Sequence, residues 1–146
     1  MLHVNESEII WEYDDSLASE PPLASSLVRE VVARLKGLAW LENDVFAVHM
    51  ALEEALMNAI KHGNAGDASR RVTVLIRIRS DSFYARIQDE GTGFDPDNVP
   101  DPCDDANLDK TSGRGVKLIK NFVDFVEYNA AGNAVEFRKT RSASSR

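Results

Sequence analysis

The sequence predicts an α+β domain: a two-layer sandwich with helices on one face of a mixed, mostly antiparallel sheet. Three observations carry that expectation. First, β-rich and helical runs follow one another in the order β-α-α-β-β-loop-α-β-β, which segregates helices from strands rather than alternating them. Second, two connections, "SD" and "AGN", are short enough for hairpins. Third, the helical runs are apolar along one stripe only, as helices lying on a core are.

Each element has its own signal. "SEIIWEY" reads as a first strand and "DDSLASEPP" as a turn-rich connection. "LASSLVREVVARLKGLAW" places apolar residues at 23, 27, 28, 31, 32 and 35, a core-facing helix. "ENDVFAVHMALEEALMNAIKH" gives a second amphipathic helix, with Asn43 or Asp44 as its cap and "HGNAGD" as its stop. "RVTVLIRIRS" and "SFYARIQDE" form a hairpin around "SD". The long segment that follows, rich in Gly, Pro and Asp, is of the functional or mobile kind. "GVKLIKNFVD" then reads as a helix, and "FVEYNA" and "NAVEFRKT" as strands joined by "AGN". Residues 1–146 are expected to form a single domain, with a tail from about 141 to 146 that frays.

Composition narrows the function. The chain is 43% hydrophobic and 28% charged, with a net charge of −7, so a basic face for a nucleic-acid backbone is not expected. One cysteine, Cys103, excludes an internal disulfide, and no Cys/His cluster has metal-ligand spacing. The start lacks the pattern of a secretory signal, and no run reaches the ~20 apolar residues of a membrane span. These readings lead to an expectation of a cytoplasmic protein that binds neither nucleic acid nor membrane.

Three short motifs carry the chemistry. In "EEALMNAIKHG", Glu54, Asn58 and His62 stand four apart beside the apolar stripe. An amide there can complete the shell of a Mg²⁺ that bridges phosphates, and a carboxylate can accept a proton from an attacking hydroxyl. Polar flanks on an ordinary amphipathic helix give the same pattern. In "DEGTGFD", Asp89 at a strand end can accept from an adenine amino group, and Gly91 and Gly93 admit close backbone approach. Taken alone this is also a plain strand-to-loop turn. In "SGRGVKLI", glycines open a helix whose free N–H groups can hold phosphate oxygens; no Walker A loop is present.

In this order the motifs resemble those of the histidine-kinase-like (Bergerat fold, GHKL) ATP-binding superfamily, which includes DNA gyrase, MutL, heat-shock chaperones and histidine kinases. The resemblance runs from the first strand to "EFRKT", and within the superfamily is greatest to bacterial anti-sigma factors that are serine kinases. It implies Glu54 as general base and Asn58 as Mg²⁺ ligand. It further implies Asp89 as adenine reader, with Gly91 and Gly93 in the same box, and Gly113 and Gly115 beside the phosphates. A lid from about Pro96 to Ser112 would close over ATP, and Lys110 or Arg114 would offset phosphate charge. His62 falls where the kinase subgroup often has a histidine, a place that suits a helix-terminal structural role equally. One departure concerns the last hairpin, where Asn133 stands in place of the superfamily's usual threonine in the adenine network.

The resemblance therefore implies an ATP- and Mg²⁺-dependent serine/threonine-protein kinase that sequesters a sigma factor and phosphorylates an antagonist, as a homodimer. The alternatives are a non-catalytic ATP-dependent binding module and a detached histidine-kinase catalytic domain. The second is disfavoured because no helix pair with a phosphoacceptor histidine precedes the first strand. Partner contact is expected at the first helix, through Arg29 or Arg34, near Lys36.

Overall fold

The computed structural model describes residues 7–91 and 119–143. Within them the chain forms β1 (Ile9–Ala18), α1 (Pro21–Gly37), α2 (Glu42–Asn58) with a wider π-helical turn at Ala59–Gly63, β2 (Arg71–Arg79), β3 (Ser82–Gln88), β4 (Phe125–Tyr128) and β5 (Ala134–Thr140). Residues 119–122, just before β4, are also helical. The five strands lie in the order β1-β2-β3-β5-β4, and every described pairing is antiparallel.

Alternation along the central strands decides which face the helices cover. Val72, Val74, Ile76 and Ile78 of β2 and Phe83, Ala85 and Ile87 of β3 are buried, while their neighbours are not. Register lines these residues up across the sheet: Val74 faces Ile87, which faces Val135, and Ile76 faces Ala85, which faces Phe137. Onto this apolar face pack Leu27, Val28, Val31 and Leu35 of α1 and Val48, Leu52, Ala55 and Leu56 of α2, completing one core. The predicted two-layer α+β arrangement is thus the observed one.

Several boundaries differ from the sequence reading. β1 runs on to Ala18, through residues assigned to a connection, with Asp14 and Asp15 opposite Leu75 and Val74. It is an edge strand, where acidic side chains reach water and discourage pairing with other chains. α1 begins at Pro21, whose fixed φ and missing N–H suit a first helical turn. It stops at Gly37, and Ala39, at φ 62°, turns the chain so that Trp40 is buried.

Neither Asn43 nor Asp44 caps α2; its N-cap is Leu41, with no side-chain cap bond. Asp44 is instead buried and accepts from Ser142 N–H at 2.7 Å and Ser142 Oγ at 2.9 Å, with Lys139 Nζ at 3.7 Å. The expected frayed tail therefore begins with two held residues. Arg141 donates to the carbonyls of Ser80, Leu38 and Ala39 at 3.1, 2.8 and 3.1 Å, with its guanidinium 5.6 Å from the Trp40 ring centroid.

Candidate functional site

Two half-buried polar residues, Glu54 and Asn58, occupy successive turns at the C-terminal end of α2. The helix does not continue as α beyond Asn58. Its ladder widens, Asn64 N–H bonding the Ala59 carbonyl at 2.8 Å and Gly66 N–H the Ile60 carbonyl at 2.8 Å. Such single π turns admit one extra residue into a helix and recur at functional sites. Here the wide turn delivers Gly63 against the end of β3.

Gly63 and Gly91 are where the two motifs meet. A Cβ built on Gly63 would collide with the Asp89 carboxylate, whose Oδ1 would lie 2.7 Å away. A Cβ on Gly91 would fall on the Gly63 carbonyl oxygen, with the carbonyl carbon 2.8 Å away. Both positions therefore require glycine for close approach. Asp89 Oδ1 accepts the Gly91 N–H at 2.7 Å, and the Asp89 N–H bonds the Asn133 carbonyl at 2.9 Å. Burial pushes the Asp89 carboxyl above its ordinary 3.8, opposed by the Gly91 hydrogen bond and the Arg70 charge. Asp89 is thus partly desolvated and held in one orientation by the main chain, a carboxylate able to read a donor.

Asn133 comes to the same place. Its Nδ2 approaches the Gly91 carbonyl at 3.5 Å, while its Oδ1 accepts from Asn129 Nδ2 at 2.7 Å. Asn129 Oδ1 in turn accepts the N–H groups of Asn133 and Ala134 at 3.0 and 3.1 Å, fixing the β4–β5 turn. Gly132 completes that turn at φ 76°. Asp89, Gly91 and Asn133 are therefore brought together, with Glu54 and Asn58 on the helix that leads to Gly63. His62 is exposed in the π turn. Gly93, Lys110, Gly113, Arg114, Gly115, Cys103 and the segment from Pro96 to Ser112 lie outside the described residues.

Sequence reasoning gave no role to two further residues near the site. Tyr128 on β4 is packed against the core, and its phenol is pushed well above the ordinary range by burial and then by the Glu54 charge. Asn64, next to Gly63, is fully buried. Position in a strand hid the first; the partners that give the second its meaning lie far away in sequence. Among the described residues no group of three or more His, Cys, Asp or Glu side chains could hold a metal ion. A metal here would take one hard oxygen from Asn58 and leave most of its shell to phosphate and water, the donor set that suits Mg²⁺. No helix among the described residues is long and apolar enough to cross a membrane.

Comparison with known proteins identifies the family and the fold. A family model described as a histidine kinase-like ATPase domain matches residues 17–139. The serine-protein kinase RsbW of Listeria monocytogenes is 31% identical over 84 residues, covering 53% of this chain and 54% of that protein. The chain spans about half the length of the RsbW relatives it matches. The anti-sigma F factor of Oceanobacillus iheyensis is 29% identical over 107 residues, 70% of this chain and 73% of that one. Among solved structures, that of the RsbU and RsbW domains of a Mycobacterium tuberculosis protein superposes with a TM-score of 0.60 at 14% identity. That superposition covers 90% of this chain and 32% of the other, and speaks to the fold alone.

Proposed function

The chain belongs to the histidine kinase-like ATPase domain family, and from that premise we propose that it is an ATP-dependent serine/threonine-protein kinase of the anti-sigma type. In this reading it phosphorylates a serine or threonine of an antagonist protein and holds a sigma factor. The observation that supports it best is the contact of Gly63 with Asp89 and Gly91, which joins the helix bearing Glu54 and Asn58 to the carboxylate suited to adenine.

Each residue has a defined task. Asp89 accepts from the adenine amino group, with Gly91 and Asn133 beside it and Gly93 a further member of the same motif. Asn58 would hold Mg²⁺ through its side-chain oxygen, and the ion would supply positive charge to the phosphates. Gly113 and Gly115 would bind those phosphates through their backbone, and Lys110 or Arg114 would offset their charge. Glu54 takes the proton of the partner hydroxyl as its oxygen bonds to the terminal phosphorus and ADP departs. The protein acts as a homodimer in the cytoplasm. Arg34 is already engaged, 3.0 Å from Glu30 and 4.5 Å from the Trp11 ring centroid, so exposed Arg29 is the better placed of the two for a partner carboxylate.

The test is a melting series with Mg-ATP together with a phosphotransfer assay on proteins captured from the source cell. Ligand binding to the folded state should raise the melting temperature with concentration. Glu54→Gln should keep that rise and lose transfer, whereas Asn58→Ala should weaken the rise itself. Transfer at the wild-type rate by Glu54→Gln would remove Glu54 as base. A nucleotide-induced rise with no phosphoprotein formed by the wild type would leave the non-catalytic binding module in its place.

A further inference from the structure

Asn64 follows Gly63, and its side chain is 0% exposed. Nδ2 donates to Ser19 Oγ at 2.8 Å and to the Arg71 carbonyl at 3.1 Å, and Oδ1 accepts the Glu90 N–H at 2.7 Å. Ser19 Oγ in turn donates a hydrogen bond to the Arg70 carbonyl at 2.8 Å. The end of β1, the start of β2 and the turn after β3 thus converge on one amide, which uses both donors and its acceptor. Glu90 closes the circuit from the other side, its carboxylate accepting the Arg71 N–H. A carboxylate at position 64 would keep the acceptor and lose the donors; a methyl group would lose all three bonds.

The Oδ1 bond is the one with functional reach. Glu90 lies between Asp89 and Gly91, so the bond to Glu90 N–H anchors the peptide that joins the adenine-suited carboxylate to its own hydrogen-bond donor. The same amide follows directly on Gly63, the backbone against which Asp89 packs. One buried side chain therefore ties both walls of the Asp89 carboxylate to each other.

We propose that Asn64 is a positioning residue for base recognition: through the Glu90 peptide it fixes the rotation of the Asp89 carboxylate, and with it the preference for adenine over guanine. This rests on the ATP-site reading above and deepens it. The chemistry follows from the bases. Adenine presents an amino donor where guanine presents a carbonyl acceptor. A fixed carboxylate attracts the first and repels the second, whereas a carboxylate free to swing discriminates less.

The experiment measures ATP and GTP affinities, and amide hydrogen exchange of the nucleotide-free protein at Glu90 and Gly91, for the wild type and three variants. Asn64→Ala should weaken ATP binding about tenfold, the scale of one lost hydrogen bond, change GTP little, and speed exchange at both amides. Ser19→Ala removes a partner of the same amide but spares the Oδ1 bond. It should melt earlier than wild type while keeping the ATP-to-GTP ratio, which separates positioning from plain stability. Asn64→Asp keeps an acceptor for Glu90 N–H and should keep most of the ratio. Should Asn64→Ala fail to fold, Asn64→Asp decides: a retained ratio supports the proposal and a lost ratio in a folded protein overturns it. A selective wild type beside an equally selective Asn64→Ala, with unchanged exchange, overturns this proposal alone. A wild type that binds neither nucleotide overturns the parent reading and this proposal with it.

Discussion

Replacing Gly91 by alanine adds one methyl group where the main chain leaves no room. Its Cβ would land on the Gly63 carbonyl oxygen, with the carbonyl carbon 2.8 Å and Asp89 Oδ1 2.9 Å away. Carbon atoms in contact sit about 3.5–4.0 Å apart, so the turn after β3 and the π turn would have to separate by roughly 1 Å. The obstacle is backbone, which no rotamer change relieves. Overpacking of this kind costs about 1–3 kcal/mol. For a chain of this length each kcal/mol lowers the melting temperature by about 3–5 °C, so Gly91→Ala should melt roughly 3–15 °C early. Gly37 is the matched control, because a Cβ there meets nothing within 4 Å. Gly37→Ala should be neutral or stabilising by about 0.4–1 kcal/mol through the unfolded chain. Both variants are compared by thermal unfolding followed by circular dichroism, without nucleotide. Gly91→Ala melting with the wild type, or Gly37→Ala falling as far as Gly91→Ala, would refute the close-approach argument.

Three further expectations follow from the same geometry. Gly63→Ala meets the Asp89 side chain rather than backbone, so it should fold but displace the carboxylate and lose the Mg-ATP melting shift; a wild-type shift would show that Asp89 is not needed there. Burial raises the Asp89 pKa, so its contribution to stability is fully present below 3.8 and is lost as pH rises through the raised folded value. The melting temperature of nucleotide-free wild type relative to Asp89→Asn should therefore fall across that window, and a flat or rising difference would contradict the burial argument. Asp44→Ala strips Ser142 of its acceptor and should cost about 1–3 kcal/mol by denaturant unfolding, with faster exchange at Ser142; an unchanged midpoint would mean that the C-terminal contact contributes nothing.

What was legible in the sequence was what repeats along the chain. Val72, Val74, Ile76 and Ile78 announce a half-buried strand by spacing alone, and Glu54 and Asn58 announce one helical face. Residues whose setting is made by distant partners were not legible. Asp44 looks like a cap because acidic residues favour helix starts, yet Ser142, 98 positions later, takes its carboxylate inward. The aspartates of β1 read as a turn because polarity was weighed without knowing that the strand would lie at an edge. Asn64 carried no signal, since its partners lie 45, 7 and 26 residues away. The close approach of Gly63 to Asp89 was equally hidden, because glycine after a helix is ordinarily read as a stop.

The widened turn at Ala59–Gly63 also gives this segment an asymmetric tolerance to changes in chain length. An α-helix advances 1.5 Å and about 100° per residue. Deleting one residue from the π turn would let the ladder close as ordinary α-helix, so the core-facing residues of α2 before it would keep their places. Gly63 and Asn64 would also stay beside Asp89 and Glu90, because the Asn64 N–H bond to the Ala59 carbonyl would simply become an ordinary i to i+4 bond. An insertion a few residues later, in the exposed turn at Ala65–Asp67, can bulge into solvent without turning the helix. A lineage could thus lengthen this loop or lose the extra residue of the π turn, whereas loss of a residue within α2, where the ladder has no slack, would carry Gly63 and Asn64 about 100° around the helix axis and away from Asp89 and Glu90.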